Sequence, residues 1–121
     1  MMTKLVFVYG SMKKDFCNHK WWMNDAVFVE RVGMSGYKLY DTGRRYPVVV
    51  KDTSAFVFGE VYKVSEEIYT RLLQVEIIAG YNVEFVDGVY IFYFSSLNTL
   101  IQKFGGDIKE AGEEWLWKEG R

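Results

Sequence analysis

The sequence predicts an α+β fold, in which a mixed and largely antiparallel sheet curls into a small partial barrel with few flanking helices. About six or seven segments have the apolar pattern of strands, whereas a single segment has the clear pattern of a helix. The strands do not alternate with helices, which disfavours a doubly wound parallel sheet. The dipeptide Asp87-Gly88 between two apolar runs is typical of an antiparallel hairpin.

The first strand is predicted at Lys4 to Tyr9. Its residues Leu5 to Val8 are apolar without alternation, which is typical of a strand covered on both faces. The strand runs directly into the turn Tyr9-Gly10-Ser11-Met12. Because glycine has no Cβ, the backbone at Gly10 can bend and approach a ligand closely. Backbone N–H groups at such a turn can bind an anionic or carbonyl oxygen.

The middle of the chain is predicted to be mostly strand. One short helix is expected at Asn18 to Met23, with Asn18 as its cap. Turn residues at Gly33 and Ser35-Gly36 are expected to separate two strands. Pro47 precedes a third strand, and a proline at the start of a strand does not remove a hydrogen bond from the sheet. The expected strands are Val27 to Val32, Tyr37 to Tyr40, the short run Val48 to Val50, and Ala55 to Val64.

The clearest helix is predicted at Ser65 to Glu76. Ser65 is a favourable cap, and two glutamates follow it at the positive end of the helix dipole. A hairpin is expected next, with strands at Val83 to Val86 and Val89 to Phe94. A shorter helix is expected at Ser96 to Lys103, and Gly105-Gly106 is expected to end it. The last stretch, which contains Trp115 and Trp117, has no assignable pattern.

Composition limits the class of protein. The chain has 121 residues, of which 50% are hydrophobic, and a formal net charge of -1. We expect one domain spanning residues 1–121, without net attraction to nucleic acid or to an anionic membrane. The single cysteine, Cys17, is typical of a reducing compartment. No apolar stretch is long enough to span a bilayer and no secretory signal is recognisable, so a cytoplasmic location is expected.

Glu76 is the first candidate for chemistry. It follows Leu72-Leu73-Gln74-Val75 and precedes Ile77-Ile78-Ala79, so its carboxylate is expected to be partly removed from water. Desolvation and the negative end of the helix dipole both raise the pKa of a carboxyl group, which makes it a better base near neutral pH. The alternative is an ordinary surface charge, and from the residues alone that alternative is favoured.

Other polar residues offer weaker candidates. His19 and Cys17 are too close in sequence to resemble a catalytic thiol–imidazole pair, and no further cysteine or histidine completes a zinc site, so no metal is expected. Lys13, Lys14 and Lys20 lie near the pair Trp21-Trp22. A solvated loop beside core tryptophans explains that cluster better than a nucleic-acid interface.

Several short segments, taken together, resemble the gamma-glutamylcyclotransferase-like superfamily, and in particular its gamma-glutamylamine cyclotransferase branch. They occur in the family's order and spacing over roughly residues 4 to 94. The segments are Val6-Phe7-Val8-Tyr9-Gly10-Ser11-Met12-Lys13-Lys14, Asn18-His19, Tyr46-Pro47-Val48, Gly59-Glu60-Val61-Tyr62 and Leu72-Leu73-Gln74-Val75-Glu76. The chain departs from the family pattern at five positions, which are Met12 (usually Leu), Asp15 (Gly), Leu73 (Asp), Ile77 (Gly) and Val83 (Arg).

The resemblance implies an activity. In such enzymes the free α-amine of a gamma-glutamyl substrate attacks its own γ-carbonyl, and 5-oxoproline and an amine are released without a cofactor. By this resemblance Glu76 is the general acid/base, and Tyr9, Gly10, Ser11 and Met12 bind the substrate's carboxylate or carbonyl oxygen, with Tyr81 as a further contact. The alternative is a non-catalytic module on the same fold that binds a small ligand, or a protein partner through Trp115 and Trp117. In that case the Glu76 carboxylate is expected to be salt-bridged, exposed or screened by Ile77.

Overall fold

A computed structural model describes residues 2–10, 13, 25–44 and 46–115. Its described residues form six strands and two α-helices. The strands are β1 (Thr3–Val8), β2 (Val27–Asp41), β3 (Pro47–Ser65), β4 (Asn82–Val86), β5 (Val89–Tyr93) and β6 (Lys109–Glu110). The helices are α1 (Glu66–Ile78) and α2 (Leu97–Phe104), and the short 3₁₀ segment Gly105–Asp107 follows α2. None of the described helices is long and apolar enough to cross a membrane.

The strands form one mixed sheet in the order β4-β5-β1-β3-β2-β6. β1 is antiparallel to β3 and parallel to β5, while the other neighbouring pairs are antiparallel. The sheet curves into a half-barrel with two helices, which confirms the predicted fold class. The C-terminal residue of β1, Val8, pairs with Glu60 in the interior of β3, and the chain that follows comes close to Pro47 at Gly10.

The two longest strands differ from the prediction. β2 runs unbroken through Gly33 and Ser35-Gly36, where the sequence predicted turns, and β3 joins the segments around Val48 and Ala55 that were predicted as separate. A register shift between Ser35 and Tyr37 explains the difference, because a bulge bends a strand without removing it from the sheet. Gly36 has a φ of 96°, which a glycine accommodates without strain.

The local signals in the second half of the chain were read correctly. The Ser65 hydroxyl accepts a hydrogen bond from the backbone N–H of Ile68, so α1 begins where the cap predicted. The helix continues two residues beyond the predicted end at Glu76. Asp87 and Gly88 have φ values of 51° and 85° in the β4–β5 hairpin, as the predicted tight turn requires. The expected helix at Asn18 to Met23 lies outside the described residues.

The hydrophobic core has a separate cluster on each face of β1. Val6 and Val8 pack with Leu72 of α1 on one face, as the uninterrupted apolar run of this strand predicted. Phe7 and Tyr9 belong to a second cluster, which also includes Trp115. Trp115 is only 2% exposed, so the C-terminal segment, to which the sequence assigned no structure, contributes to the core.

Candidate active site

Glu76 lies in the last turn of α1, where the chain reverses toward β4. Its carbonyl oxygen accepts a hydrogen bond of 2.9 Å from the backbone N–H of Tyr81, and Gly80 between them has a φ of 102°. The Glu76 side chain is half-buried. Burial raises the pKa of its carboxyl group from the ordinary value of 4.5 to about 7. Glu76 is therefore less exposed than an ordinary surface glutamate.

Only some of the apolar residues that surround Glu76 in the sequence are buried. The immediate neighbours Val75, Ile77 and Ile78 are 43%, 48% and 86% exposed, so they lie largely on the solvent side of the helix. The Glu76 side chain is half-buried, and its charge contributes to the raised pKa values of Tyr9 and Tyr81. Burial in the folded chain removes this carboxylate from water. Leu72, one helical turn before Glu76, is buried, whereas the residues immediately beside Glu76 are exposed.

Two predicted site residues, Tyr9 and Tyr81, lie close enough to Glu76 for its negative charge to raise their pKa values. The Tyr9 hydroxyl is buried and donates a hydrogen bond of 2.8 Å to the carbonyl oxygen of Phe92. Burial is the main cause of the raised pKa of Tyr9, and the charge of Glu76 adds to it. Burial likewise raises the pKa of Tyr81, with smaller contributions from Tyr9 and Glu76. The two hydroxyls and the carboxylate therefore share one electrostatic environment.

Tyr46 is a fourth member of this group, and sequence reasoning did not select it as a site residue. Its side chain contributes to the raised pKa of Tyr81, after burial and the contributions of Tyr9 and Glu76. The Tyr46 carbonyl accepts a 2.8 Å hydrogen bond from the Thr42 hydroxyl, which fixes the backbone at this position. The sequence signal for Tyr46 is the segment Tyr46-Pro47-Val48, which belongs to the family resemblance but did not predict a site residue.

Gly10 follows Tyr9 and starts a turn. Its carbonyl oxygen accepts a 2.9 Å hydrogen bond from the backbone N–H of Lys13. A Cβ at Gly10 would lie 2.5 Å from Cδ of Pro47, so only glycine fits between the turn and β3. The predicted site residues Ser11 and Met12 lie between Gly10 and Lys13, outside the described part of the chain.

The prediction for Lys13 was wrong. Instead of lying in a solvated loop, Lys13 is 3% exposed. Its ammonium group donates hydrogen bonds to the carbonyl oxygen of Trp115 at 2.9 Å and to Oε2 of Glu114 at 3.2 Å. A charged group buried this deeply requires such partners. His19 and Cys17, the other polar candidates, lie outside the described residues.

The arrangement around Glu76 is suited to proton transfer. Across residues 2–10, 13, 25–44 and 46–115, no ion pair involves its carboxylate, and no group of three or more potential metal ligands is found. A carboxyl group with a pKa of about 7 can accept a proton and return it at neutral pH. The tyrosine side chains add hydroxyl groups beside it.

Known proteins share this fold and sequence pattern. A family model described as gamma-glutamyl cyclotransferase, AIG2-like, matches residues 6–96. A Niallia circulans protein named gamma-L-glutamyl-butirosin B gamma-glutamyl cyclotransferase is 37% identical over 71 residues, which cover 59% of this chain and 44% of that protein. A Methanocaldococcus jannaschii protein, provisionally named a gamma-glutamylcyclotransferase, is 30% identical over 118 residues, covering 87% of this chain and 95% of that protein.

A solved structure extends the likeness to the whole chain. The crystal structure of an AIG2-like protein from Mus musculus has a TM-score of 0.69 and covers 100% of both chains. At 18% identity this likeness concerns the fold alone. The family model, by contrast, matches well over half of the sequence. The chain therefore belongs to the gamma-glutamyl cyclotransferase, AIG2-like family.

Proposed function

We propose that the protein is a gamma-glutamyl cyclotransferase that releases 5-oxoproline from a gamma-glutamyl amine or peptide. The substrate's α-amine nitrogen attacks its own γ-carbonyl carbon, which forms the ring C–N bond. The bond from that carbon to the leaving nitrogen then breaks, and the departing amine gains a proton. Closure of a five-membered ring holds nucleophile and electrophile together, so positioning supplies a large part of the rate enhancement.

Glu76 is the general acid/base in this proposal. The attacking amine must lose a proton and the leaving nitrogen must gain one, so a single group that does both suffices. The half-buried carboxyl group with a pKa of about 7 carries the proposal, because it is suited to both steps near neutral pH. A solvated glutamate would be a weaker base, and an ion-paired one would be held in its charged form.

The turn that begins at Gly10 is proposed to bind the substrate. Backbone N–H groups at Ser11 and Met12 would donate to the γ-carbonyl oxygen, where negative charge develops, or to the α-carboxylate. Support comes from the close packing of Gly10 on Pro47 and from the electrostatic proximity of Tyr9 to Glu76. Removing one such oxyanion donor typically costs roughly 3 kcal/mol of transition-state stabilisation.

The tyrosines are proposed to enclose the reacting atoms. The Tyr9 hydroxyl already donates a hydrogen bond to the Phe92 carbonyl, so Tyr9 contributes to this enclosure through its ring. The Tyr81 ring packs edge-on against Phe94 at 4.8 Å, which fixes its orientation beside Glu76. Both tyrosines limit the access of water to the carboxylate, and this exclusion maintains its raised pKa.

The test is incubation with a panel of gamma-glutamyl amines and peptides, with 5-oxoproline measured by mass spectrometry. We expect release from at least one compound by the wild type and none by Glu76→Gln, which is nearly isosteric but cannot accept the proton. Glu67→Gln is the matched control, since it changes an exposed glutamate on the same helix. Retained turnover in Glu76→Gln would exclude the role of this residue. Tight binding of a compound without product would favour a ligand-binding module.

A further inference from the structure

Lys13 connects two segments that are distant in sequence. It closes the Gly10 turn through its own backbone N–H, and its side chain, 4% exposed, reaches the C-terminal segment. There the ammonium group bonds the carbonyl oxygen of Trp115 and a carboxylate oxygen of Glu114. Because a buried ammonium is costly without partners, these bonds restrict where the turn can lie.

The segment that receives Lys13, residues 111–115, is itself firmly attached to the sheet. The backbone N–H of Ala111 donates to the carbonyl of Leu39 at 3.0 Å, and that of Phe58 donates to the carbonyl of Glu113 at 2.6 Å. The Trp115 side chain packs in the same hydrophobic cluster as Tyr9. The segment is therefore a fixed support, which bonds Lys13 directly and shares a hydrophobic cluster with Tyr9.

We infer that Lys13 is a positioning residue, whose ammonium group holds the end of the turn that begins at Gly10 against the C-terminal segment and so supports substrate binding at this turn. The inference rests on the proposed function. Lys13 acts through the backbone of the turn, and its bonds to Glu114 and the Trp115 carbonyl are structural. A displacement of about 1 Å in a substrate-binding group can lower the rate roughly 100-fold, so the position of the turn affects catalysis directly.

The chain offers a matched control for this inference. Arg31 binds the other carboxylate oxygen of Glu114 at 2.5 Å, but its side chain is 53% exposed and it lies on β2, outside the turn. Lys13→Met and Arg31→Met therefore each remove one cation from the same carboxylate. Only the first removes the link to the turn.

The experiment measures hydrogen–deuterium exchange at the amide of residue 13, together with kcat, KM and the pH profile for 5-oxoproline release. We expect Lys13→Met to speed this exchange at least tenfold and to lower kcat/KM by about 10- to 100-fold. The midpoint of the pH profile is expected to stay near 7, because Glu76 keeps its surroundings. Arg31→Met is expected to change both quantities less than about twofold. Lys13→Arg, which keeps the charge, is expected to recover most of the loss.

Each result decides the inference. Unchanged exchange at residue 13 in Lys13→Met, or equal losses of kcat/KM in Lys13→Met and Arg31→Met, would overturn it. If Lys13→Met fails to fold, Glu114→Gln weakens one of the two bonds, and an unaltered amide exchange rate in that variant would overturn the inference as well. If the wild type releases no 5-oxoproline, the proposed function fails, and amide exchange alone decides whether Lys13 holds the turn.

Discussion

Glu76→Gln is expected to make the folded protein more stable at alkaline pH while it abolishes turnover. Burial raises the pKa of Glu76 to about 7, whereas in the unfolded chain the group has its ordinary value of 4.5. The folded state therefore holds this proton more tightly than the unfolded state. The contribution of Glu76 to the free energy of unfolding is greatest below pH 4.5, where the group is protonated in both states, and it declines as the pH rises toward 7.

The size of the effect follows from the two pKa values. Above pH 7 the ionised carboxylate costs the folded state roughly 3 kcal/mol, because each pKa unit corresponds to about 1.4 kcal/mol. At pH 5 the same linkage gives a cost of about 1 kcal/mol. Glutamine does not titrate, so the variant lacks this cost at every pH. The gain in unfolding free energy from Glu76→Gln is expected to be about 2 to 3 kcal/mol larger at pH 9 than at pH 5.

Urea unfolding at pH 5 and pH 9 measures this difference for the wild type, Glu76→Gln and Glu67→Gln. Comparing the two pH values removes any constant effect of replacing a carboxyl by an amide. The exposed Glu67 is expected to show a difference close to zero. An equal gain at both pH values in Glu76→Gln would mean that the carboxylate is solvated, and it would refute the reasoning on which its catalytic role depends.

Three further outcomes are expected. The kcat/KM of the wild type rises with pH and levels off above about 7, as the catalytic carboxylate loses its proton, and a midpoint near 4.5 in the pH–rate profile would contradict this. Gly10→Ala lowers kcat/KM by about 100-fold, because the added Cβ meets Pro47, whereas Gly106→Ala, with open space around its Cβ, leaves kinetics unchanged. Tyr9→Phe removes the bond to the Phe92 carbonyl and lowers the urea-unfolding free energy by about 1 kcal/mol, while an unchanged value would show that this bond contributes nothing.

Features encoded by neighbouring residues were predictable from the sequence. Ser65 is followed by an acidic first turn and an apolar stripe, and the cap forms as expected. Asp87-Gly88 specifies a tight turn through its backbone conformation, and the hairpin forms around it. Ser96 and Gly105 likewise bound the second helix. In each case the signal and the structure lie within a few residues of one another.

Features that depend on distant partners were not predictable in the same way. Ser35-Gly36 has the composition of a turn, yet β3 pairs with β2 on both sides of this position and keeps it within the sheet as a bulge. Lys13 has the composition of a solvated loop, yet Glu114 and Trp115 lie next to it in the folded chain. No local pattern contains this information, because the partners are about a hundred residues away.

Glu76 combines both kinds of information. The sequence predicted a desolvated carboxylate at this position, but of the apolar neighbours that were expected to desolvate it, Leu72 is buried whereas Val75, Ile77 and Ile78 are exposed. Its raised pKa arises from burial, without an ion pair to hold the charged form among the described residues. A carboxylate in this state destabilises the folded protein above neutral pH, and a surface position would avoid that cost. The chemical character of Glu76 is therefore set by its burial in the folded chain, and the local sequence of the helix that carries it does not determine it alone.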